Sequence, residues 1–191
     1  AKARAASTIC ITGNSRSPLA RLADVVLVSV SHEQGSEPMA AQIAEAAREQ
    51  GVPVFYTAQN GDQERRDRGL QADLWGPGMR HTPAQQAIVT PLAPALSDFV
   101  LTKHRYSAFQ RSNLETLMRA RGRDQLIICG IYAHIGCMLT AGEAFQRDIQ
   151  PFFVADAVAD FSRNWHDAAL AQVADCIGVV CSTRQILETF R

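Results

Sequence analysis

The stretch QLIICGIYAHIGCMLTAGEAF, Gln125 to Phe145, carries the pattern that decides the fold. It opens on an apolar run, Gln125–Cys129, that is short and shows almost no polar alternation. Such a run reads as a strand buried on both faces. The chain then meets Gly130, and a helix-period stretch covers Met138–Arg147. A buried strand that turns into a helix is the repeating unit of a parallel sheet, because parallel neighbours need a crossover connection.

Working outward, the same unit recurs. Further buried-strand runs are Thr8–Thr12, Val25–Ser29, Val52–Thr57, Phe99–Thr102, Pro151–Ala155 and Ile177–Cys181. The clearest helix follows Ser36, a candidate cap. Pro38 sits in its first turn, Met39, Ile43 and Ala47 repeat on one face, and Gly51 ends it. A second helix starts after Ser112, buries Leu114, Leu117 and Met118, and stops at Gly122. Others are expected over Asn164–Asp175 and Arg184–Phe190. Trp75-Gly76-Pro77-Gly78-Met79 reads as a rigid loop. The alternation predicts an α/β fold, a three-layer α/β/α sandwich around a mainly parallel sheet. With 191 residues and no repeat, low-complexity tract or linker, residues 1–191 are expected to form one domain.

Composition narrows the function classes. Nineteen basic residues balance nineteen acidic ones, so there is no electrostatic case for nucleic acid or an anionic membrane. No apolar run approaches the roughly 20 residues that span a bilayer. Ala1-Lys2-Ala3-Arg4-Ala5-Ala6 is too polar and short for a signal peptide. The five cysteines include no CxxC pair, and their number is odd, which fits a reduced, cytoplasmic protein. The five histidines lack the spacing of a zinc cluster, so neither a metal nor a cofactor is expected.

In open sheets of this kind ligands sit beyond the carboxyl ends of the strands, so residues just after strands are the ones to inspect. Tyr56-Thr57-Ala58-Gln59 runs off a strand end, with Arg68 in the polar loop beyond. Gln59 offers an amide and Arg68 a planar fork suited to a carboxylate. Alternatively, Arg68 pairs with Asp67 or Glu64 on a solvated loop. Lys103, His104 and Arg105 directly follow another strand. Lys103 could bind an anionic substrate, or the three could form a surface basic cluster. In Gly130-Ile-Tyr-Ala-His-Ile-Gly-Cys137, Cys137 falls in the first turn of a helix, where a thiol pKa tends to fall. With His134 nearby it could be a nucleophile, or it could be a small buried core residue.

Five stretches, taken in order, resemble the isochorismatase family, in the branch of siderophore isochorismatases and the related phenazine-pathway hydrolase. They are Val52–Gln59, Leu74-Trp-Gly-Pro-Gly-Met79, Leu101-Thr-Lys-His-Arg-Tyr-Ser-Ala-Phe109, Gly130–Cys137 and Asp148–Ser162, within residues 38–191. The resemblance implies hydrolysis of the enolpyruvyl vinyl ether of isochorismate, giving pyruvate and 2,3-dihydroxy-2,3-dihydrobenzoate. It implies that Lys103 steadies charge and contacts substrate, that Gln59 and Arg68 hold its polar groups, and that Trp75, Tyr132 and the Gly136 backbone line the pocket. A small-molecule substrate, a homodimer, and no nucleic-acid or membrane partner go with it. Related cysteine amidases carry their nucleophile six residues after the glycine equivalent to Gly130. That position is Gly136 here, with Cys137 one residue late.

The resemblance departs at the N-terminus, where residues 1–37 form an atypical segment. The family's first strand ends in an aspartate that acts as general acid. Val25–Ser29 instead runs into Val30-Ser31-His32-Glu33, and Thr8–Thr12 into Gly13-Asn14-Ser15. The carboxylates before Pro38 are Asp24, Glu33 and Glu37. Residues 8–29 faintly resemble part of a sugar-isomerase domain without its serine-rich phosphate loop. The expectation is an isochorismatase-type hydrolase of reduced activity. The alternatives are a non-catalytic homologue or engineered chimera serving as scaffold or binding module, and a cysteine amidase using Cys137.

Overall fold

A computed structural model describes residues 26–29 and 36–191. Six strands, β1 (Val26–Ser29), β2 (Val54–Ala58), β3 (Phe99–Thr102), β4 (Gln125–Ile131), β5 (Gln150–Ala159) and β6 (Val179–Cys181), form one sheet in the order β3-β2-β1-β4-β5-β6. Every pairing is parallel. The order reverses between β1 and β4, where neighbouring crossovers leave toward opposite faces and open a crevice at the strand ends.

Helices cover both faces. One core cluster packs the Val26/Val28 and Val54/Tyr56 side of the sheet against α1 (Glu37–Glu49) and α8 (Thr183–Thr189). The opposite cluster packs Leu27, Phe55 and Phe153 against α5 (Leu114–Arg119), α6 (Met138–Gln146) and α7 (Arg163–Cys176). The expected strands therefore alternate core residues between two helical layers, which is why they read as continuously apolar. The fold class is the expected three-layer α/β/α arrangement.

Several local expectations change. Ser36 is buried and makes no side-chain capping bond to α1. α1 instead starts on Pro38 in its first turn, with Glu37 placed favourably toward the helix N-terminus. Leu117 is only half-buried, while Leu114 and Met118 carry the inward face of α5. The polar region after β2 holds short helices, α2 (Arg65–Arg68), α3 (Gln71–Trp75) and α4 (Pro83–Gln86). Trp75 thus closes a helix rather than opening a loop, and Gly76 and Gly78 follow with φ of 72° and 81°. β5 runs on to Ala159, past the expected end at Ala155. The Thr8–Thr12 strand and the sugar-isomerase-like residues before Val26 lie outside the described residues.

Candidate active site

The ends of β2, β3, β4 and β5 surround a cavity of about 150 Å³. A larger open groove of about 1130 Å³ adjoins it and shares Gln71, Arg105 and Tyr106, but it does not reach Lys103. The smaller cavity is the one floored by strand ends, and it is lined by all of Gln59, Arg68, Trp75, Lys103, Tyr132 and Gly136. The register explains the convergence. Ser29 pairs with Thr57 on one side and Gly130 on the other, so β1 ends between the segments that carry Gln59 and Tyr132.

Lys103 extends β3 by one residue, its N–H donating to the Ala58 carbonyl at 2.8 Å. The side chain is buried, not part of a solvated basic cluster. Burial pushes its pKa below the ordinary lysine value, and the nearby Cys137 thiol opposes that shift. A Cβ built on Gly136 would lie 2.7 Å from Lys103 Nζ. The glycine is what leaves room for the ammonium group against the turn Ala133–Cys137, a single π-helical turn that leads into α6.

Arg68 is also buried. It does not pair with Asp67 or Glu64, as a solvated loop would suggest; the exposed Arg66 takes those carboxylates. The Arg68 Nε–H donates to the Gly76 carbonyl at 2.6 Å, and Nη1 reaches Gln59 Oε1 at 3.4 Å. Gly78 is favoured on two counts: its φ is positive, and a Cβ there would lie 2.6 Å from Arg68 Nη1, so the fork would have to shift. The fork is held by backbone rather than by an acid, which leaves its charge available to a ligand.

Aromatic rings close the remaining sides. Tyr132 stacks on Phe161 with centroids 3.8 Å apart. Trp75, half-exposed at the rim, donates its indole N–H to Tyr106 Oη at 2.6 Å. His134 sits behind this wall. Its Nδ1 and its backbone N–H lie 2.7 and 2.6 Å from the fully buried Asp160 carboxylate, and its ring stacks on Trp165. Asp160 also accepts from the Phe161 N–H at 2.8 Å. One carboxylate therefore ties the π-helical turn to the end of β5 and fixes the Tyr132–Phe161 pair.

Cys137 is fully buried in the core on the α5–α7 side. Burial pushes its thiol up to about 12, with Lys103 pulling it back and Asp160 adding to the rise. The expectation that a helix start would lower this pKa fails because desolvation outweighs the few N–H dipoles nearby. Such a thiol is not a nucleophile near neutral pH.

Among the described residues lining the cavity, the cations are Arg68, Lys103 and Arg105, and there is no carboxylate. Thr57, Gln71, Arg105, Tyr106, Ile131, Ile135 and Phe161 join the walls without having been singled out from sequence. Arg105, Tyr106 and Phe161 all stood within stretches that carry the family resemblance, but Phe161 carried no polar signal. Glu33 and Asp24, and with them the question of an acid near Lys103, lie outside the described residues.

The family model described as the Isochorismatase domain matches residues 24–185. Enterobactin synthase component B of Escherichia coli (strain K12) is 51% identical over 147 residues, covering 77% of this chain and 52% of that protein. Isochorismatase of Bacillus subtilis (strain 168) is 55% identical over 138 residues, covering 72% of this chain and 44% of that one. The chain thus spans about half the length of these curated relatives. Among solved structures, a cysteine hydrolase from Pseudomonas syringae pv. phaseolicola 1448A superposes with a TM-score of 0.80 at 23% identity, covering 87% of this chain and 92% of that one. That likeness establishes the fold.

Proposed function

The chain belongs to the isochorismatase family, and from that premise we propose that it hydrolyses the vinyl ether of isochorismate, or a close analogue, to pyruvate and 2,3-dihydroxy-2,3-dihydrobenzoate. The observation that carries this reading is the cavity wall: three cations with no described carboxylate, which suits a small dicarboxylic acid. A scaffold has no need of a buried lysine at a strand end.

In this reading a proton adds to the vinyl methylene carbon, leaving an oxocarbenium ion. Water attacks the ether-bearing carbon of that ion and loses a proton. The hemiketal then collapses by breaking the bond from that carbon to the ring oxygen, which takes a proton, giving pyruvate and the ring alcohol. Lys103 and Arg68 hold substrate carboxylate oxygens, and Gln59 orients them through its amide. Tyr132 and Trp75 enclose the ring, and the Gly136 backbone forms the wall beside Lys103. These roles rest on placement in one cavity and on the family resemblance. Residues 1–191 are taken as one domain with an atypical segment 1–37. A cytoplasmic homodimer is part of the same proposal. The exposed Leu70, Leu74 and Leu139 along the adjoining groove support a partner surface, and light scattering in solution tests it.

In the sequence, the run Val25–Ser29 is followed by Val30-Ser31-His32-Glu33, with no aspartate at the position of the family's general acid. Positioned general acids contribute about 10²–10⁴-fold, so hydrolysis is expected to be slower by at least about 10²-fold than in a homologue with that aspartate. The test is pyruvate release from isochorismate, coupled to NADH oxidation by lactate dehydrogenase, with both proteins at equal concentration. No release above the uncatalysed rate would refute the function. Equal kcat/KM values would show that another group serves as the acid.

A further inference from the structure

Thr57 is a polar cavity residue with no role in the proposed chemistry. Thr57 is 1% exposed, lies near the end of β2, and pairs with Leu101 of β3 and Ser29 of β1. Side chains alternate along a strand, so Thr57 shares its face with Gln59, as Leu101 does with Lys103. Thr57, Gln59 and Lys103 all line the cavity.

Among the described residues, the Thr57 hydroxyl oxygen has no hydrogen-bond partner. Three other buried side-chain atoms among the described residues share that condition, on Gln63, His104 and Gln125, but none of those residues lines the cavity. A buried hydroxyl without a partner destabilises a fold, and valine would fill the same volume without that penalty. In a strand there is no carbonyl one helical turn back for a threonine hydroxyl to use, as Thr140 uses that of Gly136 in α6. The group is explained if its partner arrives with the ligand.

We infer that the Thr57 hydroxyl is a substrate contact, donating to an oxygen of the bound acid on the floor of the cavity beside Lys103. The inference rests on the proposed function for the identity of that acid. It adds a neutral donor to a site whose other described contacts are mostly cationic. Such a donor discriminates by position rather than by charge.

The test compares Thr57→Val, which keeps the shape and removes the hydroxyl, with Thr57→Ser, which keeps the hydroxyl. Thr57→Val is expected to lower kcat/KM for pyruvate release from isochorismate about tenfold or more, with a melting temperature equal to or above the parent's. Thr57→Ser is expected to stay within a few-fold of the parent. Calorimetric binding of 2,3-dihydroxybenzoate gives a readout independent of turnover, with Kd expected to rise about tenfold in Thr57→Val only. Thr57→Ala serves the same comparison if the valine variant does not fold. Parental kcat/KM and Kd in the variant lacking the hydroxyl would overturn the inference, as would a folded Thr57→Ser no better than Thr57→Val. A parent that binds 2,3-dihydroxybenzoate but releases no pyruvate refutes the proposed function alone, and the Kd comparison then decides Thr57. A parent that does neither refutes both.

Discussion

The two long walls of the cavity are built in opposite ways. The wall at Tyr132–Gly136 grows out of the core: β4 is buried along its whole length, and Asp160 clamps the following turn with hydrogen bonds to His134 and Phe161. The wall at Arg68–Trp75 belongs to short helices with exposed Leu70 and Leu74, and its charge is positioned by the Gly76 carbonyl. Lys103 stands between them. The contrast teaches that a fixed wall can supply shape through a missing Cβ, at Gly136, while a thin wall supplies charge only where glycines let an arginine fold back.

The largest expected effect comes from removing what the two walls share. Lys103→Met keeps the stem and deletes the charge, and should lower kcat/KM about 10³-fold while the fold is retained by circular dichroism. In the parent, the same lysine should set the alkaline limb of the kcat/KM profile. Because burial lowers its pKa, the ammonium is present at low pH and lost as pH rises through a value below the ordinary lysine range. Activity should therefore fall on that limb earlier than an exposed lysine would allow. A profile that stayed flat until the ordinary lysine range was reached would remove Lys103 from the mechanism.

Gly136→Ala probes the fixed wall. Its new Cβ would meet Lys103 Nζ at 2.7 Å, and the wall cannot retreat, so the ammonium must move. Displacement by about 1 Å can lower rate about 10²-fold, and that loss is expected in kcat with little change in melting temperature. Gly78→Ala probes the thin wall. Positive φ and the approach of Arg68 should together destabilise by about 1 kcal/mol, read in urea, and raise KM roughly tenfold as the fork is pushed away. If Gly78→Ala acted on kcat alone, the difference between the two walls would vanish. The smallest effect should be Cys137→Ala: kcat/KM within about twofold of the parent, since a buried thiol near 12 contributes no thiolate. Complete loss of activity with the fold intact would return the nucleophile to consideration.

The legible part of the site follows strand ends. Gln59, Lys103 and Tyr132 each come just after a recognisable run, so the sequence placed them on one rim of a parallel sheet. Thr57 was illegible for the converse reason: inside a buried run, a threonine that faces a ligand looks the same as one that faces core. Phe161 was missed because its value lies in stacking on Tyr132, almost thirty residues earlier in the chain, and apolar residues give no chemical cue. Arg68 was ambiguous in sequence because Asp67 and Glu64 sit nearby. Only the backward fold at Gly76 and Gly78 separates it from Arg66, which does pair with them.

By itself, then, the sequence determined the parallel α/β architecture, the strands from Val26 onward and the strand-end origin of the cationic residues. Those properties are local, set by residue type and period within ten or so positions. Tertiary structure alone decided that Gly136 makes room for Lys103, that Asp160 locks the aromatic wall, and that Cys137 is a neutral thiol. Each of these depends on desolvation and distance summed over segments that lie far apart in the chain. Burial raises the Cys137 thiol pKa where a helix start alone would lower it, because removing water from a thiolate outweighs the pull of a few backbone dipoles.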